Sequence, residues 1–536
     1  YEIGSGLVGS EMCIRDSAPI VEFKRIKPIL DENNKFNIEN EEVPMRRINP
    51  KERMFKNRDE EIIYTGDRGY KLADVFENKV KLDDFVAQLS YNDLICMFRG
   101  EGMCSPKVTP GTAAAFGGIT ESLRNFGIPV ACCADGPSGI RMDCGTNAFS
   151  LPNGTALGCT FNVDLVKKLY KMTGIELCRN KIDSLLGPGM NIHRNPLNGR
   201  NFEYVSEDPI LTGKIGAAQV IGIQEAGSTA TIKHVCANNQ EASRRFVDSI
   251  VSERALREIY LKGFEIAVKE GKARSVMTTY NPVNGIWTAG SYDLCTTILR
   301  KEWGFDGIVM TDWWAEANTE GEKSTRENKA PMVLAQNDLY MCVSNSLENP
   351  ENDNVKERFE AGEVTRSDLQ RNAKNILKFI MKSQAMLHEL NLISKEDLEE
   401  INGQDDDGNI SLEDIVYYYA DKDSNDIIID ASNFNNKKGD SEVFGISLNE
   451  LGLYNIEITM KSEQGSLSQL PLSIYYDNAL KSTITIRGTE GEWVTESREL
   501  GFIFGVNHYI KLYFGASGLD IDKVVIKFMG KGKLPF

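Results

Sequence analysis

The sequence predicts an α/β chain: a (β/α)8-like TIM barrel followed by an all-β sandwich. Two observations carry this prediction. From about residue 70 to 388, short apolar runs alternate with helical patterns. Strand-then-helix repeated over that length implies a parallel sheet, whose commonest closed form is the eight-stranded barrel. From about residue 415 to the end the apolar period drops to two, the signature of half-buried strands.

In chain order, residues 1–17 (YEIGSGLVGSEMCIRDS) match no secondary-structure period. They resemble a translated sequencing adapter and are set aside from fold reasoning, which makes this chain an expected N-terminally truncated fragment. Residues 18–63 are polar and charged, with Pro28, Pro44 and Pro50, and read as an extended connector. The barrel is expected over residues 64–390. Its strand candidates are Pro129–Asp135, Asp183–Gly189, Thr231–Val235, Ser275–Tyr280, Gly307–Asp312 and Asp338–Val343. One helix is explicit: Ser252 caps it, Glu253 suits its first turn, and Leu256, Ile259, Tyr260, Phe264 and Ala267 recur on one face. Lys374–Leu390 reads as a closing helix.

Residues 391–414 form an acidic linker. Within it, Gln404–Ile410 is similar to an EF-hand loop, with Asp405, Asp407 and Asp414 at ligand positions once Gly408 is aligned with the loop glycine. Gly403 falls where the first Asp belongs and position twelve is Asp rather than Glu, so a solvated linker is the preferred reading. The sandwich is expected over residues 415–536. Tyr454, Ile456, Ile458 and Met460 alternate with polar residues, and Ile484/Ile486, Ile510/Leu512/Phe514 and Val524/Ile526/Phe528 repeat the pattern.

Composition narrows the function classes. At 536 residues the chain has room for roughly two to four domains. The net charge of −17 argues against a nucleic-acid partner. No apolar run is long enough to span a membrane, and no signal-peptide pattern is present. The 11 cysteines include no CxxC pair and read as reduced core thiols of a cytoplasmic protein. Four histidines, with no fitting Cys/His spacing, make no zinc site. Nothing in the sequence fixes the oligomeric state; a homo-oligomer is compatible with it.

The chemistry gathers at strand ends. The first candidate strand ends in Asp135-Gly136-Pro137. The second runs into a loop carrying His193, Arg194, Arg200 and Glu203. The third ends in Lys233-His234, the fourth in Tyr280-Asn281, and the fifth in Asp312, followed by Trp313 and Trp314. Five strands delivering ionisable and polar groups to one rim is how a barrel builds an active site. Carboxylates, cations, imidazoles and aromatic faces, without a phosphate-type glycine loop, suit a neutral polyhydroxylated ligand. Structural readings stand beside these: Asp312 as a helix cap, Glu203 as a partner for Arg200, Arg194 and Asn238 as supporting residues, and His193 as a packed loop histidine. Lys233 at a strand end also admits a Schiff-base aldolase.

The segments ADGPSGIR (134–141), LGPGMNIHRNPLNGRNFEYVSEDP (186–209), KHVCANNQEASRR (233–245), SERALREIYLKGFEIAV (252–268), SVMTTYNPVNG (275–285) and EWGFDGIVMTDWW (302–314) resemble glycoside hydrolase family 3. The resemblance runs in order over about residues 64–345. It implies a retaining β-glycosidase acting by double displacement with no cofactor, β-glucosidase being the commonest activity, with an oligosaccharide or β-glucoside as substrate. Carried over by motif, Asp312 is the nucleophile. Asp135, Arg200, Lys233 and His234 hydrogen-bond the sugar in the −1 subsite, Tyr280 lies near the nucleophile, and Trp313 or Trp314 walls the site. Lys233 and Arg200 are expected to lower the pKa of Asp312.

Two departures from the family matter. The loop Val235–Asn239 lacks the second histidine of the N-acetylhexosaminidase branch. Nothing after residue 345 alternates β and α as the acid/base-bearing second domain does; the junction-like segment near residues 23–75 resembles members in which that domain comes first. The expected fragment therefore holds the nucleophile without its general acid/base. A β-xylosidase and a catalytically incomplete sugar-binding protein remain the alternatives. The terminal domain resembles a carbohydrate-binding jelly roll, with Tyr475, Tyr476, Trp493 and Tyr509 as stacking candidates; a purely structural sandwich is the other reading.

Overall fold

A computed structural model of the chain describes residues 18–46, 49–102, 105, 107–109, 112–142, 148–393, 415–464, 469–477 and 479–531. These residues fall into two compact units, one holding the chain to Arg141 and from Phe149 onward through the barrel, the other holding Met142, Ala148 and the C-terminal strands. The adapter-like segment and the EF-hand-like loop lie outside the described residues.

The first unit is built on one eight-stranded sheet. All six expected strands form, and two more complete the set: β1 (Arg99–Glu101), β2 (Ala114–Gly117), β3 (Val130–Asp135), β4 (Ser184–Leu186), β5 (Thr229–Val235), β6 (Ser275–Thr278), β7 (Ile308–Met310) and β8 (Tyr340–Val343). Their spatial order is β7-β6-β5-β4-β3-β2-β1-β8. A parallel bridge between Met310 and Leu339 brings β7 and the approach to β8 together, closing the barrel.

One strand departs from the uniformly parallel sheet that the alternation implies. β2 runs antiparallel to both β1 and β3. A parallel connection needs a crossover of a dozen or more residues, usually helical. No helix separates β1 from β2 among the described residues, so the chain turns back directly.

The strands are short and almost wholly buried; every residue of β5 is shielded from solvent. Part of the barrel interior is polar. The hydroxyls of Ser184, Thr231 and Ser275 stand side by side on β4, β5 and β6, at 2.7 Å and 2.8 Å. All three residues are fully buried, and each hydroxyl finds its partner on the next strand.

Three other elements differ from expectation. Ser252 does cap its helix, accepting the Ala255 N–H, but the turn over Leu256–Tyr260 is a π-turn, with the Leu261 N–H bonded to the Leu256 carbonyl at 2.8 Å. The extra residue shifts the helix phase. Leu256, Phe264 and Ala267 are buried as expected, while Ile259 is left 39 % exposed. The closing helix is two helices, Arg366–Ile380 and Gln384–Glu389, because Ser383 caps the second by accepting the Met386 N–H. The 18–63 connector holds a hairpin of Lys24–Leu30 with Phe36–Glu42. It also holds the helix Pro50–Lys56, capped by Asn49 with proline at its start.

The C-terminal unit is a sandwich of a five-stranded and a four-stranded sheet. The strand Gly452–Lys461 pairs antiparallel with Val494–Ile503 and Asp520–Gly530. Tyr454, Ile456, Ile458 and Met460 all point into the shared core, as their alternation predicts. The four stacking candidates do not form one face: Trp493 precedes a strand of the four-stranded sheet, while Tyr475, Tyr476 and Tyr509 lie on the other. Tyr476 packs against the core.

Among the described residues, no helix is long and apolar enough to cross a membrane, and no cluster of His, Cys, Asp and Glu is placed to hold a metal.

The hydroxyl row makes a stability prediction. Thr231→Val keeps the shape but strands its two neighbours, and should cost about 1–3 kcal/mol. Removing all three hydroxyls together should cost less than the sum of the single changes, because no buried partner is then left unpaired. Chemical denaturation of the variants reads this; a Thr231→Val protein as stable as the parent would refute it.

Candidate active site

Asp312 stands two residues beyond β7 and is 8 % exposed. Its Oδ1 accepts the Trp313 N–H at 2.8 Å, and the Tyr280 hydroxyl, two residues beyond β6, also donates to it. His234 on β5 brings Nε2 to 3.7 Å from Oδ2. Its neighbour Lys233 places Nζ 2.6 Å from Oδ1 of Asp135, the last residue of β3. The Arg200 guanidinium pairs with Glu203 and adds positive field at both Asp312 and Asp135. Six of the seven expected side chains are thus tied together by contacts or charge. Trp313 joins them through its backbone, with its indole partly exposed.

The charges are set by burial first. Burial raises the Asp312 carboxyl above the usual range. The Trp313 N–H, the Lys233 and Arg200 charges and the Tyr280 hydroxyl pull the other way without reversing it. The expected net lowering by the two cations is therefore corrected: their pull is real, but it acts on a carboxyl that has lost its water. Asp135 behaves oppositely. Burial raises it too, but the Lys233 ammonium overcomes that and holds it below the ordinary range. Burial, reinforced by Arg200, Lys233 and Arg244, keeps His234 neutral. Burial and the nearby Asp312 charge hold the proton on Tyr280.

The loop after β5, with Tyr204, supplies a supporting set in which sequence reasoning marks only Asn238. Arg244 and Arg245 place their guanidinium carbons 4.6 Å and 4.8 Å from the centre of the Tyr280 ring. Arg244 pairs with Glu241 at 2.9 Å, and Glu241 accepts from Asn238. Asn238 donates to the Tyr204 hydroxyl, which meets His234. The same loop walls a neighbouring cavity of about 680 Å³ through Asn239, Gln240 and Glu241, facing Asn198 and Asn281. Tyr204, Glu241 and Arg244 lie in the motif segments, but a loop has no periodicity to mark which residues turn inward.

The remaining candidates sort plainly. Glu203 takes its structural reading, as the partner of Arg200. Lys233 is committed to Asp135 rather than standing free as a Schiff-base amine. Arg194 lines the neighbouring cavity. His193 donates its backbone N–H to Ser206, and its Nε2 is buried without a hydrogen-bond partner among the described residues.

Comparison with known proteins places this arrangement. The model of the glycosyl hydrolase family 3 N-terminal domain matches residues 108–379. A β-glucosidase of Ruminococcus albus is 48 % identical over 510 residues, covering 95 % of this chain and 52 % of the relative. A β-glucosidase A of Butyrivibrio fibrisolvens is 43 % identical over 273 residues, covering 51 % of this chain and 31 % of the relative. Among solved structures, a β-glucosidase from Paenibacillus barengoltzii superposes with a TM-score of 0.68 at 45 % identity, over 95 % of this chain and 54 % of that one. The chain spans about half the length, or less, of these relatives. With the family model matched over more than half of all residues, the chain belongs to glycosyl hydrolase family 3.

Proposed function

We propose that this chain carries the nucleophile and sugar-binding half of a retaining β-glucosidase. The observation that carries the reading is Asp312: a buried carboxylate past a barrel strand, held by a backbone N–H and a phenol, with two cations and a neutral imidazole around it. Asp312, its Oδ1 accepting the Trp313 N–H, attacks the anomeric carbon through a carboxylate oxygen. Its charge also stabilises the oxocarbenium-like transition state before the glycosyl–enzyme bond forms. Asp135, Arg200, Lys233 and His234 bind the sugar hydroxyls, and Trp313 walls the subsite. The mechanism needs no cofactor.

The leaving group requires a proton. Three carboxylates around Asp312 are each paired with a cation: Asp135 with Lys233, Glu203 with Arg200, and Glu241 with Arg244. We place the proton donor in the part of the longer relatives that this chain does not span. The barrel, linker and sandwich boundaries at residues 390 and 414 belong to the same proposal, as does a cytoplasmic location. The latter is supported by eight unpaired thiols, seven of them buried, among the described residues.

Dinitrophenyl glycosides need no proton for departure and nitrophenyl glycosides benefit from one. The chain should release dinitrophenol from the β-glucoside in a burst or in turnover, act much more slowly on nitrophenyl β-glucoside, and prefer β-glucoside over β-xyloside. Asp312→Ala should reduce the dinitrophenyl reaction by about 10³-fold or more. Undiminished activity in that variant would remove Asp312 from the nucleophile's role, and preference for the xyloside would remove the hexose assignment.

Burial of Asp312 also predicts a pH dependence of stability. A carboxyl whose folded pKa is raised holds its proton more tightly in the folded chain, so it costs stability once the pH exceeds the ordinary aspartate range near 4. Asp312→Asn should therefore raise the melting temperature at neutral pH, and the gain should fade as the pH falls into and below that range. A constant difference across pH would contradict this.

A further inference from the structure

Glu241, Asn238, Tyr204 and His234 form a line of hydrogen bonds that leads toward Asp312. Asn238 Nδ2 lies 3.3 Å from Glu241 Oε1 and 2.9 Å from the Tyr204 hydroxyl. That hydroxyl lies 3.3 Å from His234 Nδ1, and His234 Nε2 faces Asp312 Oδ2 at 3.7 Å. Tyr204, His234 and Asn238 are each at most 2 % exposed, so these groups must satisfy one another.

The protons along this line can be assigned by elimination. The Glu241 carboxylate, held by Arg244, only accepts hydrogen bonds. The Asn238 amide must then turn its NH2 toward Glu241, since the reverse orientation would face two acceptors at that distance. This leaves Asn238 Oδ1 without a partner among the described residues, whereas the reverse orientation would set that oxygen against an anion and leave the NH2 unpaired. The same NH2 donates its second hydrogen to the Tyr204 oxygen. The single Tyr204 proton then has one recorded acceptor among the described residues, His234 Nδ1. A neutral imidazole that accepts at Nδ1 carries its proton on Nε2.

We propose that Tyr204, oriented through Asn238 by Glu241, is a positioning residue that fixes His234 as the Nε2–H tautomer, aimed at Asp312 and at the sugar hydroxyl beside it. The sugar contact rests on the glycosidase reading; the tautomer does not. Nε2 is then a donor turned toward Oδ2 of Asp312, the oxygen that the Trp313 N–H does not engage. In the opposite tautomer a nitrogen lone pair would face Oδ2, making the ionised carboxylate costlier still. The Glu241–Arg244 pair serves both flanks. Glu241 orders the line to His234, and the Arg244 guanidinium sits over the Tyr280 ring.

The chain has four histidines, so imidazole-selective 15N labelling of the whole chain gives few signals, and His234→Gln identifies the one concerned. The parent should show His234 protonated on Nε2 and bare on Nδ1. Tyr204→Phe should bring in the Nδ1–H form. It should also lower kcat/KM for dinitrophenyl β-glucoside about ten- to a hundredfold, the usual cost of losing a group that orients a functional imidazole, and move the acidic limb of the pH profile upward. Glu241→Gln, whose amide can face Asn238 with either atom, should give a mixture of tautomers and a smaller loss. An Nδ1–H signal in the parent, or a pure Nε2–H signal in Tyr204→Phe, overturns the proposal. If no glycoside is turned over at all, the glycosidase reading fails while the imidazole spectra still decide the tautomer.

Discussion

A carboxylate removed from water is the constraint around which this barrel rim is organised. An isolated buried anion is among the costliest things a protein can hold, and in practice such a group takes up a proton instead. Asp312 is kept usable by an N–H from the next residue, a phenol from the adjacent strand end and two cations at longer range. The compensation is incomplete, and the carboxyl stays more basic than an exposed aspartate. That residue of basicity is consistent with the nucleophile's role proposed for Asp312.

The barrel answers this constraint by distributing the work. β3, β5, β6 and the end of β7 each send one or two groups to the same place, so no single strand carries the geometry. Asp135 and Asp312 show how finely the environment divides two like residues. Both are aspartates at strand ends, yet the direct Lys233 contact makes one a firm anion and burial makes the other a basic one. Cations close enough to pair are spent on Asp135 and Glu203, which leaves Asp312 with their field but not their contact.

Much of this was legible in the sequence, for identifiable reasons. Strands such as Val130–Asp135 and Ile308–Met310 are apolar runs bounded by turn residues, and they formed where expected. Arg99-Gly100-Glu101 has no apolar residue, and Ala114–Gly117 offers one large apolar residue, Phe116, between alanines and a glycine pair, too short a run to mark a strand. Ile259 fell on the wrong side because a π-turn breaks the 3.6-residue count. At the site, the residues in strand-end motifs came together, whereas Tyr204, Glu241 and Arg244 were silent: their importance lies in which neighbour they face. The net proton affinity of Asp312 was also unreadable, because it depends on how deeply the carboxyl is buried rather than on which charges are near it.

The loop after β5 has two faces that the chain cannot alter separately. Asn239 and Gln240 shape the cavity beside the site, while Asn238, Glu241 and Arg244, their immediate neighbours, order the groups around Asp312. Substitutions that remodel the cavity therefore tug on the segment that orders the surroundings of Asp312. In evolutionary terms, selectivity and reactivity are linked traits here, and change in ligand preference through this loop should arrive together with a change in how strongly Asp312 holds its proton.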